Sequence, residues 1–117
     1  MKKSIAVAAM SLFSLTLAKA QDPVTADPKH YKVVLDTPEV RVLDIHIAPG
    51  EKTPMHSHPR FVLYAFTDST IKFSMPDGKT NTATMKAGEA RYSEALTHAG
   101  ENVGTTEVHV LNIELKK

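Results

Sequence analysis

The chain of 117 residues contains no cysteine, so disulfide bridges are excluded as its source of stability. No stretch combines clustered lysine and arginine with interleaved aromatic residues. This argues against a nucleic-acid-binding surface. A domain of this size buries only a modest fraction of its surface, and without disulfides it needs a tight β core, a bound metal or a partner chain.

Long hydrophobic runs are also absent, except at the N-terminus. Met1 to Lys3 form a short positive head, Ser4 to Leu17 are apolar apart from serine and threonine, and Ala18 to Ala20 give a small-x-small cleavage signal. This pattern predicts a secretory signal peptide over residues 1–20, cleaved after Ala20. The apolar run is too short for a membrane span, so we expect a periplasmic or secreted protein with no span in the mature chain. Without the three N-terminal lysines the basic count falls from 14 to 11 against 13 acidic residues, a net charge of −2.

The remaining chain predicts a single all-β domain. Gln21 to Tyr31 are rich in Pro, Asp and Lys and predict an extended arm, and the domain proper spans residues 32–117. β-prone runs alternate with turn signals every eight to twelve residues, which is typical of a sandwich or barrel. Asp77-Gly78 suits a two-residue hairpin turn. The predicted strands are Tyr31–Asp36, Val40–Ile47, Phe61–Phe66, Ile71–Met75, Thr80–Met85, Ala90–Ala95 and Glu107–Leu115, with a break at Gly100 to Gly104. A generic β-sandwich binding module has the same strand pattern.

The histidines separate the alternatives. His56 and His58 are one residue apart, and on a strand they project side by side from one face. Two imidazoles at this spacing form a clamp for a divalent metal. His98, after a later strand, is the best-placed third ligand. The other three histidines are isolated and are interpreted as surface or packing residues: His30, His46 and His109.

The spacing around these histidines resembles that of the single-domain cupins. Gly50, His56 and His58 match the pattern G-x5-H-x-H, and His98 and Asn102 match H-x3-N. The resemblance covers about Val40 to Leu115, nearly the whole mature domain. It implies a double-stranded β-helix, the jelly-roll barrel, with one metal at its mouth on the three histidines.

Two departures from the cupin motifs bear on the chemistry. The glutamate that normally follows the second histidine falls here on Val62 or Leu63, and the proline and glycine before the third histidine are replaced by Glu94-Ala95-Leu96. Three neutral imidazoles leave the metal its full double charge and favour anionic ligands. Such centres resemble those of the thiol and diketone dioxygenases, which favours iron(II) over zinc, nickel, copper or manganese. Glu94 is an alternative source of a carboxylate ligand.

Further residues are candidates for the barrel lining: Arg60, Tyr64, Phe66, Phe73, Met75 and Tyr92. Arg60, Tyr64, Tyr92 and Glu94 are those with a candidate role around the metal or against a substrate. No residue stands out as a general base or nucleophile. The leading hypothesis is a metal-dependent, dioxygenase-like enzyme acting on a small molecule. The alternatives are a non-catalytic module that binds or senses a metal or small ligand, and an interaction protein that uses the barrel as a scaffold. A homodimer is expected, with the arm covering an exposed sheet edge.

Overall fold

The computed structural model describes residues 21–117, so the predicted signal peptide lies outside the described residues. The fold is all-β, as predicted. One short helix, α1 (Pro23–Ala26), precedes nine strands. These are β1 (Tyr31–Asp36), β2 (Val40–Ile47), β3 (Lys52–His58), β4 (Phe61–Ala65), β5 (Ser69–Ser74), β6 (Thr80–Met85), β7 (Ala90–Ser93), β8 (Leu96–Asn102) and β9 (Val108–Leu115). Within residues 21–117, no helix has the length and apolar character needed to cross a membrane.

The strands form two antiparallel sheets that face each other as a jelly roll. The order is β1-β2-β9-β4-β7 in the five-stranded sheet and β3-β8-β5-β6 in the four-stranded sheet. Successive residues of a strand alternate between the two faces of the sheet, so every second side chain faces inward. On β2, Leu43, Ile45 and Ile47 are buried, whereas Asp44 and His46 point outward. On β9, residues 108, 110, 112 and 114 are the buried set.

The hydrophobic core lies between the sheets at the inward positions of several strands. Its buried members are Tyr31, Leu43, Ile45, Ile47, Ala65, Ile71, Met85, Val108 and Val110. The inward-facing histidines of β3 and β8 are buried in the same interior.

Two strands are absent from the predicted set. The first is β3, which covers Lys52–His58. The second is β8, which continues through Gly100 to Asn102, so the predicted break at Gly100 to Gly104 is wrong in its first half. Gly100 serves close packing here. A Cβ added to it would lie 3.1 Å from Cδ1 of Ile71. The neighbouring strand occupies the space that any larger residue would need.

The predicted β5–β6 hairpin is present with a different turn. Ser74 pairs with Thr80, and the amide of Gly78 donates to the carbonyl of Met75 at 2.9 Å. Gly78 alone has a positive φ in this turn, at 91°. The loop is therefore a type I turn followed by a left-handed glycine, not the two-residue turn that Asp77-Gly78 predicted.

The segment before β1 differs from the extended arm that its composition predicted. Asp22 caps helix α1, because its carboxylate accepts hydrogen bonds from the amides of Val24 (3.0 Å) and Thr25 (3.3 Å). The carbonyl of Gln21 accepts from the amide of Ser57 on β3 at 2.9 Å, so the segment adds to the edge of the four-stranded sheet. These local bonds hold it against its own barrel.

Candidate metal centre

Three buried imidazoles meet at the inner face of the four-stranded sheet. β3 pairs with β8 so that His56 lies directly opposite His98, and His58 follows two residues along the same face. The ring centroids are separated by 4.7 Å (His56 to His58), 4.9 Å (His56 to His98) and 5.3 Å (His58 to His98). One ring nitrogen from each lies within 4.8 Å of the others. The structure thus brings together the three histidines predicted as metal ligands.

The local sequence explains how His56 is oriented. β3 is an edge strand, which is where a proline such as Pro54 is tolerated. The carbonyl of Pro54 lies 2.7 Å from Nδ1 of His56, which must therefore be the protonated nitrogen. Nε2 keeps its lone pair and faces the hydroxyl of Tyr31 at 3.3 Å. Burial raises the pKa of Tyr31, so this hydroxyl stays protonated and donates to Nε2.

A buried carboxylate orients His58. Oε2 of Glu114 lies 3.3 Å from Nδ1 of His58, and Oε1 of Glu114 accepts from Nε of Arg41 at 2.8 Å. Arg41 in turn binds the carboxylate of Asp22. Burial alone would raise the pKa of Glu114, but the hydrogen bonds from His58 and Arg41 outweigh it, and the net effect lowers that pKa. The ionised carboxylate holds a proton on Nδ1 and leaves Nε2 of His58 free.

His98 is held by packing. Its ring stacks on Phe73 with the planes 2° apart and the centroids at 4.5 Å. Burial lowers the pKa of His98 to about 3 and the pKa of His56 to about 4, with repulsion from neighbouring imidazoles acting in the same direction. Both side chains are therefore neutral at pH 7. Neutral imidazoles with free lone pairs are the form that binds a metal.

A cavity of about 290 Å³ adjoins His58 and His98. Its wall is mainly aliphatic and aromatic, and no carboxylate of the described chain lines it. Asn112 is its most buried polar lining residue, at 2% exposure. Its Nδ2 lies 3.3 Å from Nδ1 of His58 and its Oδ1 has no hydrogen-bond partner, so with a proton on that Nδ1 the amide fits better turned about, with the oxygen toward His58. The lining includes Ile45, Ile47, Phe61, Leu63, Ile71, Phe73, Met75, Met85, Arg91, Tyr92, Leu96, Val108 and Val110.

The structure separates the remaining predicted site residues. Tyr92 lines the cavity, whereas Arg60, Tyr64 and Glu94 do not. Tyr64 was predicted to line the barrel, but it points to the outer face of β4, because Phe61, Leu63 and Ala65 hold the inward positions. Glu94 is exposed between β7 and β8. Of the predicted lining set, Phe73 and Met75 face the cavity and Phe66 does not.

Sequence reasoning missed Glu114 and Asn112. Both occupy inward positions of β9, where the alternation begins with Val108 and Val110 and then turns polar. A polar residue at a core-facing position is costly unless it has a partner, so this change of character was the available signal. The carboxylate beside the histidines is therefore Glu114, which contacts His58 from behind, and not Glu94.

The comparisons with known proteins concern the fold. No protein-family model matches the chain, and no curated protein matches it. Among solved structures, a cupin domain from Bordetella pertussis Tohama I is 24% identical with a TM-score of 0.69, covering 85% of this chain and 98% of that one. A protein with a double-stranded β-helix domain from Klebsiella pneumoniae subsp. pneumoniae MGH 78578 is 20% identical (TM-score 0.59), covering 74% and 75%.

A more distant similarity is to Fe(II)-HppE, at 12% identity and a TM-score of 0.57, covering 73% of this chain and 48% of that protein. Identities this low establish the fold and leave the chemistry to the site itself. With two facing antiparallel sheets, the three inward histidines and these neighbours, the chain has the cupin fold.

Proposed function

We propose that the protein is a metal-dependent cupin that holds one divalent transition metal on Nε2 of His56, His58 and His98. The metal and the adjoining cavity together bind a small molecule. The observation that carries this proposal is the convergence of three buried imidazoles on the edge of an apolar cavity.

The donor set fits such a metal. Hydrogen bonds to Pro54 and Glu114 place the protons of His56 and His58 on Nδ1, so both Nε2 atoms keep a lone pair. A metal on Nε2 of His56 would take the place of the hydrogen bond from the Tyr31 hydroxyl. Imidazole suits iron, zinc, nickel and copper better than manganese, which prefers oxygen donors. The name Fe(II)-HppE states that iron occupies one protein of this fold, which supports iron(II) as the first metal to test. When bound, iron in such a site supplies oxygen activation and Lewis acidity.

The chain's own residues would bind and orient the small molecule. The apolar wall excludes water and suits a mostly hydrophobic body. One end of the Asn112 amide faces Nδ1 of His58 and the other end has no partner, so that free end would form a hydrogen bond with a polar group of the molecule. A polar or anionic head would coordinate the metal, because three neutral ligands leave the ion's charge uncompensated.

The cavity also favours a second candidate, a non-catalytic module that binds or senses a metal or small ligand. Apart from His58 and His98, none of the described lining residues is a histidine, aspartate, glutamate or lysine. Catalysis without a protein acid or base would rest on the metal. A binder has no such requirement.

Oxygen consumption by the iron-loaded protein separates the two candidates. Small thiols, diketones and phenolic acids are offered one at a time, with the His98→Asn variant as control. Substrate-dependent uptake by the wild type, lost in the variant, supports the dioxygenase-like function. Metal-dependent binding of such a compound without uptake supports the binder. No binding and no uptake would contradict the proposal.

We further propose that the protein is exported to the periplasm or beyond after cleavage following Ala20, and that it forms a homodimer. The edge strand β1 supports the second point, because Val33, Val34 and Leu35 are exposed beside unpaired backbone groups. A mass spectrum of the secreted fraction tests the N-terminus at Gln21. Sedimentation of the wild type and of Val34→Lys tests the dimer; a monomeric wild type would refute it.

A further inference from the structure

A second group of metal-binding side chains lies on the outer face of the five-stranded sheet. Asp44 and His46 are outward-facing residues of β2, and His109 lies opposite His46 on β9. The two imidazole rings stack with their centroids 3.9 Å apart and their planes at 21°. One ligand atom from each of the three residues lies within 4.8 Å of the others.

Both imidazoles direct Nε2 at the same carboxylate. Nε2 of His46 is 3.2 Å from Oδ2 of Asp44, and Nε2 of His109 is 2.9 Å from Oδ1. Zinc binds nitrogen and carboxylate oxygen at about 2.0–2.2 Å. An ion bound by these atoms would replace the hydrogen bonds to Asp44, and the two stacked rings would turn their Nε2 atoms toward it.

A second carboxylate orients the exposed histidine. Oε2 of Glu107 is 3.2 Å from Nδ1 of His46, so with a metal on Nε2 the remaining ring proton would lie on Nδ1 and face Glu107. Thr67 secures the backbone of this strand, because its Oγ1 donates to the carbonyl of Glu107 at 2.6 Å and accepts from the amide of His109 at 3.1 Å. A carboxylate behind a ligating histidine is the usual arrangement in metal sites.

Both carboxylates of this group are open to a cation, with Lys32 opposite Asp44 on strand β1 as the neighbouring positive charge. Asp44 and Glu107 have histidines as salt-bridge partners, and among residues 21–117 neither carboxylate has a lysine or arginine within 4.0 Å. We propose that Asp44, His46 and His109 form a second binding site for a divalent metal of the zinc and copper class. Two imidazoles and one carboxylate suit these ions. The site lies on the opposite face of the sheet from the barrel interior and does not depend on the buried centre.

Zinc titration of the metal-free full-length mature protein by calorimetry tests the proposal. The wild type should bind two equivalents of zinc. His46→Gln and His109→Gln should each keep only the equivalent at the buried centre, and His98→Asn should keep only the equivalent at the outer site. Glu39→Gln removes an exposed carboxylate elsewhere on the chain and should keep both. Glu107→Gln should weaken the outer site about tenfold without abolishing it.

The outcomes are distinguishable for the two sites. If zinc binding by His46→Gln and His109→Gln equals that of the wild type in stoichiometry and affinity, the outer site is refuted. A single wild-type equivalent that His98→Asn removes would refute the outer site and retain the buried one. A single wild-type equivalent that His46→Gln removes would retain the outer site and refute the buried one.

Discussion

Replacing Glu114 by glutamine should weaken metal binding at the buried centre without changing any ligand. The Glu114 carboxylate accepts from Arg41 on one oxygen and faces the protonated Nδ1 of His58 on the other. Glutamine has one acceptor and one donor end, so in either orientation its NH₂ meets a donor. The mismatch is relieved when His58 moves its proton to Nε2, which removes a lone pair from the metal position.

The size of the effect follows from the position of Glu114 behind a ligand. Removing such a carboxylate typically costs 10- to 100-fold in metal affinity, or about 1.4–2.7 kcal/mol. The lost charge-assisted bond to Arg41 should also lower the free energy of unfolding of the metal-free protein by about 1.5–3 kcal/mol, since Glu114 is 2% exposed. The two quantities are measured separately, by cobalt titration below the unfolding temperature and by urea denaturation without metal.

The control for this prediction is Glu39→Gln, which carries the same chemical change at an exposed position. It should leave affinity and stability unchanged within about 0.5 kcal/mol. The reasoning is refuted if Glu114→Gln binds cobalt as tightly as the wild type. A stability loss without an affinity loss would show that Glu114 supports the fold alone.

Three further perturbations test other parts of the structure. Burial lowers the pKa of His56 to about 4 and of His98 to about 3. The folded metal-free protein therefore binds fewer protons than the unfolded chain below about pH 6.5. As the pH is lowered from 6.5 to 4.5, its free energy of unfolding, measured by urea denaturation, should fall by up to about 1.4 kcal/mol per pH unit for each imidazole. His98→Asn should reduce this dependence of stability on pH. Gly100→Ala places a Cβ 3.1 Å from Cδ1 of Ile71 and should cost about 1–3 kcal/mol in thermal unfolding, whereas an unchanged melting temperature would show that the strands yield easily. Asn112→Leu removes an amide with one end against Nδ1 of His58 and the other unpartnered, so the free energy of unfolding should change by less than about 2 kcal/mol while binding of small hydroxyl or thiol compounds weakens. A larger loss of stability would show that the contact with His58 supports the fold.

The metal centre was predictable because its geometry is local. His56 and His58 share a face through the alternation of a single strand, and this needs no knowledge of the rest of the fold. His98 required a longer inference, from motif spacing. The structure places it directly opposite His56.

What the sequence did not reveal depends on long-range pairing. Glu114 reaches His58 because two strands far apart in sequence meet inside one barrel, and Arg41 reaches Glu114 from a third strand. Tyr64 was assigned to the wrong face because register decides inward or outward, and a shift of one residue reverses it. Gly100 looked like a turn because close packing and chain reversal both favour glycine.

The most direct test of the buried centre is the metal content of the mature protein purified without chelators, measured by mass spectrometry of the elements. The His46→Gln background removes any contribution from the outer face. We expect about one equivalent of a single transition metal, and its loss when His56→Ala or His98→Ala is added and the protein remains folded. No stoichiometric metal, or metal that both changes leave in place, would contradict a centre built on His56, His58 and His98.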